Sequence, residues 1–200
     1  MDSIFWRDMH HHSRLFNSQI LPVLIAPLLI VPLLIGLAAC APAASKPSTS
    51  SVPAELQPPT GNTPFLKVAA QGVQIYVCTA KADATGFEWV FKAPEANLFN
   101  SSNQKVGTHY AGPTWEGLDG SKVVGEVKIR LNPSDASAIP WLLLSAKSTA
   151  GTGTFAQTTF IQRLETGAGK APVGGCDAGK LAVESRVPYT ANYVFFSASK

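Results

Sequence analysis

Histidine, cysteine and charge are all scarce in this chain of 200 residues, and each shortage excludes something. Of four histidines, three are the consecutive His10, His11 and His12, which leaves His109 alone in the rest of the chain. One histidine cannot build a two-histidine metal motif or a polyhistidine copper or zinc site, so no metal and no cofactor is expected. Charged residues make up only 14%, the net charge is +3, and no run of like charge occurs. A nucleic-acid groove needs clustered basic residues, so nucleic acid is not an expected partner. The Gly-x-Ser-x-Gly elbow, the phosphate-binding Gly-Lys-Ser/Thr loop and a dinucleotide fingerprint opening a helix are also missing. The chain carries no catalytic signature.

What is present begins with an export signal. Arg7 and Arg14 precede an uncharged apolar run from Ile20 to Leu37, which ends in Leu37-Ala38-Ala39-Cys40. Small residues before a cysteine at the end of such a run suit lipoprotein signal peptidase, so residues 1–39 read as a lipoprotein signal segment. Cys40 then receives the lipid. Met9 is an alternative start, because a complete signal still follows it. The rival reading is an uncleaved membrane helix, since a span can be as short as ~17 residues. Pro22, Pro27 and Pro32 oppose a durable helix, each removing a backbone donor. Several acyl chains, palmitate among them, would anchor the protein firmly where one would not. Ala41 in place of aspartate after the cysteine favours the outer membrane in a Gram-negative cell. The expected location is lipid-anchored at the cell membrane or outer membrane, with the domain outside the cytoplasm.

Residues 40–60 then read as the lipidated cysteine and a disordered linker, rich in Pro, Ser and Ala and extended by Pro42, Pro47, Pro53, Pro58 and Pro59. Residues 61–200 have the length of one domain. With Cys40 assigned to lipid, Cys78 and Cys176 remain as an even pair in an oxidising compartment, which implies a disulfide. Two free thiols or metal ligands are the alternative, although no second cysteine or histidine lies near either.

Hydrophobic periodicity points to strands. Val73, Ile75 and Val77 alternate with Gln74, Tyr76 and Cys78; Phe87, Trp89 and Phe91 alternate with Glu88, Val90 and Lys92; Val123, Gly125, Val127, Ile129 and Leu131 continue the pattern. Period two over such lengths marks half-buried strands. Trp141–Ala146 is continuously apolar, as for a strand buried on both faces, and 154–164 and 192–197 are further strands. Turn signals separate them, including Thr85-Gly86, Asp119-Gly120 and Gly174-Gly175, and only 134–138 suggests a helical turn. The expected fold is all-β, a single antiparallel sandwich or barrel-like domain.

The densest polar cluster runs from Gly107 to Ser121 and is expected on a loop between strands. Glu116 and Asp119 are candidates for a carboxylate pair acting on sugars, and His109 for a general base. Trp115 and Tyr110 are candidates for a stacking platform. In the competing structural reading Trp115 fills the core, His109 holds a loop and Asp119-Gly120 is a turn. Lys92, Glu95 and Asn97 are weaker candidates. Gln162 and Arg163 beside Glu165 are expected to pair across the sheet, and Arg163 against Glu116 or Asp119 would fix structure. Tyr189, Tyr193, Phe195 and Phe196 are expected in the core and rim of a closing strand.

These segments resemble a secreted bacterial and fungal family, domain of unknown function 3455. The matching stretches include Val73-Gln-Ile-Tyr-Val-Cys78, Val106-Gly-Thr-His-Tyr-Ala-Gly-Pro-Thr-Trp115, Ile139-Pro-Trp-Leu-Leu-Leu144, Ile161-Gln-Arg-Leu164 and Ala171-Pro-Val-Gly-Gly-Cys176. The resemblance implies an exported, mostly β domain with paired cysteines and implies no activity. It draws interest to His109, Trp115, Glu116, Asp119, Arg163 and Cys176. Three functions compete: an envelope binding module for a glycan, cell-wall or protein ligand; a polysaccharide hydrolase using Glu116 and Asp119; and a structural surface protein. The first is favoured, and an enzyme is the less expected outcome.

Overall fold

A computed structural model describes residues 52–200, so Cys40 and the signal segment lie outside the described residues. Eight strands follow in order: β1 (Asn62–Ala80), β2 (Phe87–Phe99), β3 (Lys105–Tyr110), β4 (Thr114–Gly117), β5 (Lys122–Leu131), β6 (Trp141–Ala150), β7 (Phe160–Ala168) and β8 (Glu184–Ala198). Each pairs antiparallel with its sequence neighbour, and β8 returns to β1, closing a barrel. The seam is long, running from Asn62↔Ala198 to Val77↔Glu184. Of the sandwich and the barrel, the chain forms the barrel. Closure leaves no unpaired sheet edge.

Strand alternation sets what points inward. On β1 the inward set includes Val68, Ala70, Gln74, Tyr76 and Cys78, all buried. The interior therefore takes the Gln74, Tyr76 and Cys78 face of the alternation and not the Val73 and Val77 face. On β5 a bulge between Val127 and Ile129 reverses the phase, so Ile129 is exposed and Arg130 turns toward the barrel mouth. The core combines Val68, Leu98, Trp115, Val123, Leu144, Phe155, Ile161 and Phe195.

Trp141–Ala146 is covered on both faces. Leu142 and Leu144 join the interior, while Leu143 packs outside against Leu56 and Leu164. Leu56 ends a 3-10 turn, Ala54–Leu56, and its carbonyl accepts from Gln162 Nε2 at 2.7 Å. Part of the segment read as linker thus lies on the barrel wall. Burying a leucine side chain fully stabilises by ~1.5–3 kcal/mol, enough to fix so short a turn.

Several local expectations need correction. The polar cluster 107–121 is not one loop: residues 107–117 belong to the β3–β4 hairpin and 118–121 to the β4–β5 turn. Its glycines hid it, and Gly107 is there because a Cβ would stand 2.3 Å from the Glu116 carbonyl. The strand expected from Thr154 starts only at Phe160. Ser134–Ala138 forms a turn in which Asp135 accepts from Ser137 N and Oγ, not a helix.

The two ends of the barrel differ. At one, the β6–β7 connection folds inward and places Phe155, 0% exposed, against Phe195 at 4.8 Å. Asp119 binds this connection to the β4–β5 turn, accepting from Ser121 N and Oγ (2.9 and 2.6 Å) and from Thr154 N and Oγ1 (both 2.7 Å). At the other, the Cys78–Cys176 disulfide, with Cα atoms 5.4 Å apart, straps the β7–β8 loop to β1. Trp89 Nε1 donates to Gly174 O of the same loop at 2.9 Å.

Candidate functional site

The disulfide-strapped end is open. A cavity of about 540 Å³ enters the barrel there, with Phe91 (51% exposed), Lys92, Gly112 and Arg130 at its rim. This volume falls within the range of small-molecule sites, roughly 300–1,000 Å³. Its apolar walls include Tyr76, Val127, Leu142 and Leu144.

The polar part of the cavity is built on β1, β3, β4, β7 and β8. His109 on β3 and Trp115 on β4 are register partners, and their rings stack at 4.3 Å and 14°. Tyr193 of β8 meets both rings edge-on at 5.2 Å. Gly125 makes room for this stack, since a Cβ there would lie 2.9 Å from the Trp115 ring. His109 Nδ1 is 2.8 Å from the Thr114 carbonyl. A carbonyl only accepts, so Nδ1 carries the proton and Nε2 is left an acceptor. Burial lowers the His109 pKa to about 3; the Thr114 bond opposes that shift and the Arg163 charge adds to it. The imidazole is neutral at physiological pH.

Arg163 is 9% exposed and reaches into the cavity from β7. Its Nε donates to Pro140 O at 3.0 Å. It does not pair with Glu165, as the sequence suggested, because Glu165 sits outside with Asn192 and Lys67. Nor does it meet Glu116 or Asp119, whose partners lie elsewhere. Around it stand Gln74, Tyr76, Tyr189 and Tyr193. Burial raises the pKa of all three phenols and Arg163 pulls it down again, so they remain neutral. Tyr76 donates to Gly169 O at 2.7 Å. Gln74, Tyr189, Tyr193 and Arg163 stand within interaction range of one another in that order, yet among the described residues Gln74 Nε2, Trp115 Nε1 and the Tyr189 and Tyr193 hydroxyls find no hydrogen bond of regular geometry.

The candidate residues therefore divide. His109, Trp115 and Arg163 come together at the cavity. Tyr110 and Glu116 alternate with them and face outward, where Tyr110 donates to Glu116 Oε2 at 2.7 Å and Lys122 lies 3.2 Å from Oε1. These bonds lower the Glu116 pKa. Asp119 belongs to the closed end, and its four hydrogen bonds, the Ser121 hydroxyl foremost, hold it well below the usual carboxylate range. The two carboxylates share no partner, and among the described residues no carboxylate lines the cavity. Trp115, 1% exposed and covered by His109, offers no free face for a sugar. Tyr193 and Phe195 are buried in the closing strand, as their spacing suggested. Gln74 and Tyr76 escaped the sequence reading; their signal was two polar-tipped side chains on one phase of a strand.

Among the described residues, no group of three or more His, Cys, Asp or Glu side chains converges to hold a metal. No helix there is long and apolar enough to cross a membrane. No curated protein and no solved structure shows a significant match to this sequence. Residues 59–197, nearly all of the barrel, match the family described as Protein of unknown function (DUF3455), and the chain belongs to that family.

Proposed function

We propose that this is an exported binding module, anchored through a lipid on Cys40, whose barrel takes up a small organic molecule. The observation that carries the reading is the cavity of about 540 Å³ with unpartnered polar groups in and beside it. Buried polar atoms without partners cost roughly 1–3 kcal/mol each, so a barrel built for stability alone would fill such space with apolar side chains. The separation of Glu116 from Asp119, and of both from the cavity, supports binding over glycan hydrolysis.

Val127, a wall residue on β5, provides the test. The intact protein in phospholipid nanodiscs is screened by thermal shift and calorimetry against sugars, aromatic acids and amides, and aliphatic acids. One-site binding in the wild type and its loss in a folded Val127→Trp variant are expected. A folded wild type that binds nothing in the panel, or binding untouched in Val127→Trp, sinks the reading.

A further inference from the structure

Arg163 is a cation in a cavity wall, and none of the described residues neutralises it. A guanidinium removed from water costs several kcal/mol unless an anion and hydrogen bonds compensate. Here Nε has the Pro140 carbonyl, and no carboxylate of the described residues lies within ion-pair distance. Lys92 and Arg130 add positive charge at the rim, although Lys92 also reaches Glu184 at 2.5 Å. The unpartnered groups nearby are mostly donors. Gln74 Nε2 and Trp115 Nε1 can only donate, and the Tyr189 and Tyr193 hydroxyls, which sit beside Gln74 and Arg163, can donate as well as accept. The walls around this polar floor are aromatic and aliphatic.

We infer that the ligand is an organic anion, a carboxylate or similar acidic head on a flat or aliphatic body, with the head paired to Arg163. The inference deepens the binding reading and rests on it. The planar fork of arginine matches a carboxylate, and Nε, tied to Pro140, holds that fork in place. The apolar body lies toward Phe91, Leu142 and Leu144.

Two isosteric pairs separate charge from shape: 2-naphthoate with 2-naphthamide, and octanoate with octanamide. Calorimetry on the intact protein in nanodiscs is expected to show at least one acid binding about tenfold or more tighter than its amide. Arg163→Gln should erase that preference, weakening the acid about tenfold and the amide little. Arg163→Lys, which keeps the charge and loses the fork, should fall between them. An amide equal to its acid in the wild type overturns the inference and leaves the cavity reading intact. Equal weakening of acid and amide in Arg163→Gln does the same. If no member of either pair binds, both the inference and the cavity reading for compounds of this size fail. The wild-type ratio needs no variant, so misfolding of Arg163→Gln does not spare the inference.

Discussion

The closed end of the barrel and the open end are made of the same strands and follow opposite rules. At the closed end Phe155 fills the interior and Asp119 satisfies four donors across two loops. Among the described residues Thr158 Oγ1 is the one buried side-chain atom left without a partner there. At the open end Gln74, Tyr189 and Tyr193 make no regular hydrogen bond, Arg163 is buried with no carboxylate beside it among the described residues, and a cavity replaces the core. Local consistency is what a stable fold selects, and departures from it gather where something other than stability is selected. One end keeps the barrel shut and leaves the other free to be polar.

The loop over the open end is tied down by a disulfide as well as by the Tyr76 and Trp89 hydrogen bonds, and the contrast predicts that the covalent link contributes most. Cys78 and Cys176 are separated by 98 positions, and the chain-entropy estimate for such a loop is about 4 to 5 kcal/mol. Cys78→Ser with Cys176→Ser should lower the urea-unfolding free energy by about that amount. A loss near zero would show that the β7–β8 loop is held by other contacts. Next in size, Phe155→Ala should cost about 3 to 4 kcal/mol through the cavity it leaves, measured the same way. A much smaller loss would mean that the closed end is no tighter than the open one.

The third test reads the open end by pH. The unfolded His109 takes up a proton near pH 6.5 and the folded one only near about 3. Between those values the unfolded state binds more protons, so stability falls as pH falls, by about 1.4 kcal/mol per pH unit for one group. From pH 6.5 to 4.5 the loss from this group is about 2 kcal/mol, since the unfolded imidazole is already half protonated at the start of the window. His109→Gln should flatten this slope in denaturation curves taken across the window; an unchanged slope would remove His109 from the account. The smallest effect is expected on the outer wall. Glu116→Gln should leave the melting temperature and cavity binding as in the wild type. Loss of binding there would move the site from the barrel interior to its outside.

The fold class was legible because period-two alternation and turn residues recur along the chain, and the cysteine pair because one of three was already assigned. The phase was not legible. A hydrophobic alternation shows that a strand has two faces, but Val73-Gln74-Ile75-Tyr76 has no intrinsic inside; the pairing of β1 with both β2 and β8 selects Gln74 and Tyr76. The β3–β4 hairpin was masked by Gly107, Gly112 and Pro113, which propensity assigns to loops. His109 and Trp115 stood out as a cluster, and their cross-strand stacking follows from the register Gly107↔Gly117 through Tyr110↔Thr114. Arg163 could not be placed, since only the closed barrel brings β7 opposite those rings. Glu116 and Asp119 looked paired at a spacing of three, yet the first is on a strand and the second in a turn.

The seam between β1 and β8 has a consequence for how the molecule is assembled. A ribosome makes β1 long before the 15 residues of β8. Throughout that interval one side of β1 has no hydrogen-bonding partner, and such an edge invites pairing with other chains. Contacts between segments as far apart in sequence as Asn62 and Ala198 form slowly because their loop entropy comes first. Losing β8 to truncation would therefore do more than shorten the protein: it would leave a seven-stranded open sheet with β1 and β7 as exposed edges.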